Sequence, residues 1–437
     1  MNLSYLLGIL ILVIGLALSV ALHELGHMIP AKLFGVKVSE YFIGFGPKIW
    51  STKRGETEYG VKALWFGGYV RLLGMLPPAP EGKPDKPGSL VAESRKQALS
   101  ELGPDEQYRA FYRLSVPKKL VVMAGGILTN LALGIIVLAF AVGVVGIPGH
   151  TNTLGSVSEC LKTDLTDTSA CTHADPVSPA ATAGFQMGDQ IVSWGGESVN
   201  NWADVQAAIK SSGTSPTQVV VRRGGAEQTL SVTATEVQRP VFDDAGQPVL
   251  DAAGKPVTEP RPYVGIGPTL GSIPQPTSAL PSVIGTAVGG TLKAIFSLPV
   301  GLYHAVAAGL GLEQRSSDGV IGLVGIGRIA GEAASAGSTT GPTAVPLSVR
   351  AFYLLSLLGS LNLALFAFNL IPLLPLDGGH VAGALWEGAR RRLALAQGRP
   401  DPGPVDTAKM LPVGQVVFGL LIVMTLVLVW VDVVAPV

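Results

Sequence analysis

ALHELGHMIP, residues 21–30, closes an apolar run that begins at Leu3. No charge interrupts the chain from Leu3 to Leu22, and about 20 apolar residues are enough for a helix to cross the hydrocarbon core of a bilayer. Ionisable groups at that depth are costly and by default mark a functional site. On a helix His23 and His27 stand at i and i+4, so both imidazoles leave the same face.

That spacing suits Zn²⁺, with Zn–N distances of about 2.0–2.1 Å. Glu24, one position beyond His23, is placed to reach a metal-held water without being a ligand. The pattern is H-E-x-x-H, in which the glutamate acts as general base for peptide hydrolysis. Two histidines packed in a helix interface are the plain alternative. A glutamate at this position, in a chain with six histidines, weighs against it.

The surrounding composition agrees with a membrane setting. The 437 residues are 48% hydrophobic and only 14% charged, with a formal net charge of zero, so nothing overall points to nucleic acid. The first run lacks a basic leader and a small-residue cleavage site, so it is expected to remain as a helix rather than be removed. Four segments qualify as spans: 3–28, 119–148, 350–372 and 411–435. The stretch 279–311 carries Lys293, His304 and Pro299, and is expected to form a helix pair on the outer membrane surface rather than a fifth span.

Basic residues set the orientation. Residues 31–119 hold 15 of them, whereas 149–349 hold 10 in more than twice the length. The short loop 373–410 holds five, Arg390, Arg391 and Arg392 among them. The first and last of these regions are therefore expected in the cytoplasm and both termini outside. Cys160 and Cys171 fall in the region assigned outside, where a disulfide is permitted. A bridge is expected there, with two free thiols as the alternative.

The chain divides accordingly. Residues 1–30 form the first span, and 31–118 a cytoplasmic-side β segment with a flexible insertion at 77–88 (PPAPEGKPDKPG). Within it, 41–74 reads as short strands broken by Gly44, Gly46, Gly67 and Gly68. Residues 119–148 are the second span, 151–270 an outer domain, and 271–349 surface helices. Residues 350–390 hold the third span and its LDG motif, and 391–437 a loop and the fourth span. In the outer domain, 177–213 alternates strand, turn and helix. The near-repeat DAGQPV and DAAGKPV, 244–249 and 251–257, reads as a hairpin insertion.

A catalytic zinc needs a third protein ligand and an open position. No further histidine follows HELGH closely. NLIPLLPLDGGHV, 369–381, supplies Asp377 just beyond an apolar span. An N-cap is its ordinary alternative role. The expected topology brings His23, His27 and Asp377 to one side of the membrane. His380 is a second candidate, ranked below Asp377.

HELGH, then GFG, EYGVKALWFGGYVRLLG and PLLPLDGG, resemble the site-2 protease family of intramembrane zinc metalloproteases. One domain between the second and third spans is similar to the bacterial members that cleave anti-sigma factors. That domain, through SPAATAGFQMGDQIVSWGG and the YVGI of 263–266, looks like a PDZ domain. The resemblance implies zinc ligands His23, His27 and Asp377, with Glu24 as base. It also implies substrate contacts at Asn369, and at Gly126 and Asn130 in a Gly-x-x-x-Asn motif. Ile127 stands where members often have proline, and the proline spacing before Asp377 differs slightly.

The expected fold is thus a polytopic α-helical membrane protein with about four transmembrane helices, a membrane-associated β segment and an extracytoplasmic α+β PDZ domain. The expected function is Zn²⁺-dependent cleavage of single-span membrane proteins within a bacterial cytoplasmic membrane. A non-catalytic PDZ scaffold and a zinc transporter or sensor are the competing readings. The complete His, Glu, His, Asp set weighs against the scaffold. Against transport, no ladder of acidic or histidine residues runs along several spans.

Overall fold

The computed structural model describes residues 2–80, 82, 84–161, 170–241, 247–251, 254–316, 319–337 and 345–436. The near-repeat falls partly outside these residues, as does part of the 77–88 insertion. The chain forms two compact units, one of Met1–Val144, Pro276–Ser335 and Tyr353–Val437, the other of Val145–Gln275 and Ala336–Phe352.

The first unit opens with helix α1, Leu3–Leu33, whose amino end is capped by the Asn2 side chain accepting from the Tyr5 amide. It ends at Phe34, followed by Gly35 at φ +82°. Two long strands follow, β1, Val38–Arg54, and β2, Thr57–Leu72. Glycines fold this hairpin on itself. Gly44, Gly46 and Gly67 have positive φ, and a Cβ at Gly44 would stand 2.6 Å from the Leu64 carbonyl oxygen. Residues 40–43 consequently pair on both sides: Tyr41 lies opposite Tyr59 and also opposite Val70. The result is a small four-ribbon sheet whose 68–72 ribbon is an outer edge. The Tyr41 hydroxyl donates to the Ala21 carbonyl at 2.7 Å, holding the sheet to α1.

Helix α2, Leu90–Ser100, is capped by Ser89 and carries the buried Arg95. A buried guanidinium needs paired carboxylates, and Arg95 finds Asp85 at 2.7 Å and Asp406 at 2.9 Å. The insertion expected to be loose is therefore fastened at Asp85, and also at Pro77, whose carbonyl accepts from Arg95. Helix α3, Val116–Phe140, begins with Pro117 in its first turn and runs into a π-helical turn at Ala141–Val145. It crosses α1 at backbone contact, since a Cβ on Gly125 would fall 2.0 Å from the Gly26 carbonyl.

The second unit is a β-rich domain. Its elements are β3, Ile147–Val157; α4, Pro179–Ala183; β4, Gln190–Trp194; β5, Glu197–Ser198; α5, Trp202–Ser212; β6, Thr217–Arg223; and β7, Ala226–Val232. Strands β8, Thr235–Pro240, and β9, Thr258–Tyr263, pair as a separate two-stranded sheet on either side of the near-repeat. Strand β10, Ile266–Ile273, completes an antiparallel sheet of order β10-β3-β4-β6-β7. Leu154, Ile191, Val205, Val219, Val221 and Val264 form its core. Cys160 and Cys171 are bridged.

Asp189, fully buried, is held by Arg223 at 2.7 and 2.8 Å and by the Gln186 amide at 2.9 Å. Burial alone would raise its pKa, but the Arg223 pair outweighs it and holds the carboxyl below the usual range. A carboxylate depressed on folding stabilises the fold above its unfolded pKa and loses that stabilisation as pH falls through the folded value. Asp189→Asn should therefore destabilise this domain by about 2–3 kcal/mol at neutral pH. Thermal denaturation should show the gap from wild type closing only below about pH 4.

The first unit resumes with α6, Leu280–Phe296, and α7, Leu298–Gly309, split at Ser297 ahead of Pro299. The pair expected at 279–311 is present. Its first member, from Thr277 to Phe296, is nevertheless long and apolar enough to span. Among the described residues, five helices meet that criterion, not four. Helix α8, Leu323–Ser335, packs on the first turns of α1, where Gly331 lies under the Tyr5 ring. Helix α9, Leu347–Asn369, α10, Asp377–Ala396, and α11, Leu411–Val434, complete the chain. Each has one job for the site. Helix α9 meets α3 through Gly134 against Leu363, α10 begins at the aspartate of the LDG motif, and α11 sets Gly414 against Leu374 in the turn before that aspartate.

Candidate active site

The sharp turn after α9 decides where Asp377 goes. Residues 370–376 fold in consecutive turns, with the Leu373 amide on the Ile371 carbonyl and the Leu376 amide on the Leu373 carbonyl. Gly378 and Gly379 then pass so near that turn that no side chain fits. A Cβ on Gly378 would stand 2.3 Å from the Ile371 oxygen. The first residue of α10 is thereby delivered to the HELGH face of α1.

Three ligand atoms meet there. His23 Nε2 and His27 Nε2 are 3.2 Å apart, and Asp377 Oδ2 is 3.2 Å from each. A tetrahedral zinc with bonds of about 2.0–2.1 Å sets its ligand atoms about 3.3 Å apart, so the triangle has the size that ion requires. Both histidines are buried and the Asp377 side chain is 20% exposed, which leaves one side of the triangle open. Among the described residues, this is the group of histidine and acidic side chains so arranged.

The far sides of the two rings support the same donor set. His27 Nδ1 lies 2.8 Å from the Val122 carbonyl of α3, which can only accept. His27 Nδ1 therefore carries the proton and Nε2 keeps its lone pair for a metal. His23 Nδ1 lies 3.0 Å from the Asn130 amide nitrogen, while the Asn130 oxygen is buried with no partner among the described residues. With a metal on Nε2, Nδ1 of His23 must also donate. A half-turn of the amide, which leaves its shape unchanged, puts the oxygen there and removes the orphaned acceptor.

Asn130 and Gly126, expected to meet substrate, thus stand against the histidines. A Cβ on Gly126 would fall 2.1 Å from His27 Nε2, so this glycine makes room for the ring. Loss of the Asn130 acceptor should weaken zinc binding by about 10–100-fold. Asn130→Leu should show that loss in competition with a chelator. Asn130→Asp, which still accepts from Nδ1, should restore most of it.

Glu24 sits beside this cluster, near enough to His23, His27 and Asp377 to interact electrostatically, with the Val70 backbone close by. Gly68 explains how the sheet comes so near. A Cβ there would be 2.9 Å from Val20 Cγ1 and 3.5 Å from Glu24 Cγ. The 68–72 edge of the sheet therefore runs past the base.

Asn369 closes α9, partly exposed and with no side-chain partner among the described residues. His380 is not part of the triangle. It lines a cavity of about 30 Å³ with Tyr112, Lys119, Glu387 and Thr407. Sequence reading missed two features. Lys119 and Glu387 pair at 2.7 Å in a buried site that ties α10 to α3. Asn362, fully buried, donates to Ser19 at 3.0 Å, one turn before His23. Ser19 was visible as a hydroxyl four residues ahead of His23 in an apolar run.

Comparison with known proteins gives a consistent result. Residues 11–399 match the model of Peptidase family M50. The chain is 34% identical over 98% of both chains to zinc metalloprotease Rip1 of Mycobacterium tuberculosis. It is 25% identical over 90% of both chains to metalloprotease MmpA of Caulobacter vibrioides. Zinc metalloprotease RasP of Geobacillus kaustophilus is 24% identical over 94% of both.

Proposed function

Because the chain belongs to peptidase family M50, the site-2 zinc metalloproteases, we propose that it cuts single-span membrane proteins within their transmembrane segment. The zinc metalloendopeptidase activity follows from the family. The observation that carries the finer reading is the 3.2 Å triangle of His23, His27 and Asp377 at the ends of apolar helices, with Glu24 beside it. A site so placed meets peptide bonds that lie in lipid.

His23, His27 and Asp377 would hold the ion. When bound, zinc supplies a Lewis acid for the scissile carbonyl and lowers the pKa of water. Glu24 takes the proton of the attacking water and returns it to the leaving amine. The substrate must first be unwound, because a helix hides its own amides. The 68–72 ribbon, an outer edge of the sheet, would take the extended chain by strand addition beside Glu24, and Asn369, whose amide has no partner among the described residues, would hold it.

The domain of residues 151–270 is read as a PDZ domain, supported by its helix, turn and strand order in 177–213 and by the β10 edge strand after Tyr263. With α6 and α7 read as lying on the outer membrane surface, with α1, α3, α9 and α11 as the spans, and with the basic loops inside, it and both termini lie outside the cytoplasm. There it would exclude partners with intact ectodomains and admit stumps left by an earlier cut, anti-sigma factors among the fitting substrates. The test is cleavage of single-span proteins by the purified enzyme in detergent. A trimmed substrate should be cut in its span, stopped by chelator and restored by zinc. Deleting 155–267 should admit the uncut form as well. No cut inside the span of any trimmed substrate, by a zinc-loaded enzyme, would refute the reading.

A further inference from the structure

The outward face of α10 has no part in the metal site. One stripe of this helix, His380, Ala384, Glu387 and Arg391, faces the protein, where Glu387 meets Lys119 at 2.7 Å and Arg391 at 3.1 Å. The stripe turned away is apolar. Leu385, Ala389 and Leu393 recur at i, i+4 and i+8, with Trp386 beside them, and Leu385, Trp386 and Leu393 are 57–61% exposed. An amphipathic helix with its charged stripe inward and its apolar stripe outward has no reason to face water.

Arginines border the apolar stripe. Arg392 stands beside it, exposed, and Arg399 lies just past the helix end. Neither has an acidic partner among the described residues. Arg390 flanks the other side, its Nη2 held at 3.1 Å by the carbonyls of Pro402 and Gly403. The nearby acids are already engaged: Glu387 as above, Asp401 at 3.5 Å from Arg391, and Asp406 with Arg95. Arg390 and Arg399 line a surface concavity of about 500 Å³ with Leu393, Pro400 and Pro402. The place of α10 in the chain sets it between two segments read as membrane-embedded. Helix α10 starts in the metal cluster, and the apolar α11 begins at Leu411.

We propose that the distal half of α10 lies in the headgroup layer and binds anionic phospholipids of the bilayer. Arg390, Arg392 and Arg399 take the phosphates, and Leu385, Trp386, Ala389 and Leu393 enter the acyl boundary. Long basic side chains commonly lie along apolar surface with their charge at the headgroups. Charge complementarity selects the partner, since three cations without carboxylates meet a surface of fixed negative charge. The contact would hold the far end of the helix whose first residue is Asp377.

Both native cysteines are bridged, so Ala389→Cys in the full-length chain can carry a single fluorophore. The labelled protein is reconstituted into phosphatidylcholine vesicles containing a headgroup nitroxide on either phosphatidylcholine or phosphatidylglycerol. The phosphatidylglycerol nitroxide should quench more strongly, and added salt should narrow the difference. Replacing Arg390, Arg392 and Arg399 by Gln should lower the preference roughly fivefold per residue, with zinc content unchanged. Equal quenching by the two lipids in wild type, or an undiminished preference in the triple variant, would overturn the proposal. So would a label reached by aqueous iodide and by neither lipid. If the triple variant alters only energy transfer between labelled copies, the face is a contact between chains and the lipid assignment falls.

Discussion

Glu24→Gln should retain zinc and lose proteolysis. Glutamine matches glutamate in size, so His23, His27 and Asp377 keep their places. What disappears is a group able to accept a proton from water and pass it on. Removing a positioned general base typically costs about 10²–10⁴-fold, and residual cleavage should fall at least that far. The check pairs metal content, by elemental analysis of the purified protein, with turnover of a single-span substrate. A variant that kept wild-type turnover would remove Glu24 from the chemistry. One that lost its zinc would make it part of the metal sphere.

Asp377→Ala should lose both metal and activity, whereas His380→Ala should keep its zinc. The difference rests on direction. The Asp377 carboxylate is within 3.2 Å of both imidazole nitrogens. His380, three residues on, stands outside that triangle and lines the cavity beside Lys119 and Glu387. With the aspartate gone, two imidazoles remain, fewer than the three protein ligands typical of a catalytic zinc. Affinity should fall well beyond the 10–100-fold typical of outer-shell changes, read by chelator competition. Because Gly378 and Gly379 shape the turn, the alanine at 377 leaves the backbone path unchanged. Loss of zinc in His380→Ala with zinc kept in Asp377→Ala would reverse the assignment.

The parts of this site visible in the sequence are those encoded by short-range spacing. His23, Glu24 and His27 share one helical turn, and the PLLPLDGG turn signals its own geometry through glycine and proline. What escaped reading depends on contacts between distant segments. The resemblance implies a substrate contact at Asn130, and an amide in an apolar helix says by itself only that something polar faces it. That its partner is His23 depends on how α1 crosses α3, which Gly26 and Gly125 set by letting the backbones touch. The Val122 carbonyl that orients His27 has no side-chain signature at all. Lys119 and Glu387 are 268 positions apart, and neither suggests the other.

The fold divides in the same way. Uncharged length was enough to find α1, α3, α9 and α11. The charge rule reads α6 as a surface helix, since a fifth crossing would carry Arg390, Arg391 and Arg392 outside, whereas its length and apolarity alone would let it span, with Pro299 falling beyond its last residue. The β segment was recognisable from its glycines. Its folding into a sheet whose central ribbon pairs on both sides required knowing which glycines adopt positive φ.

The central claim is that two imidazoles from α1 and one carboxylate from α10 hold a single zinc ion. X-ray absorption at the zinc edge of the purified, catalytically silent Glu24→Gln protein tests it most directly. The account predicts one zinc per chain with two imidazole nitrogens at about 2.0–2.1 Å and the remaining ligands oxygen at about 2.0–2.2 Å. In Asp377→Ala that protein-held signal should vanish. A sphere of three imidazoles, or the same two-imidazole, oxygen-completed spectrum persisting at full occupancy in Asp377→Ala, would contradict it.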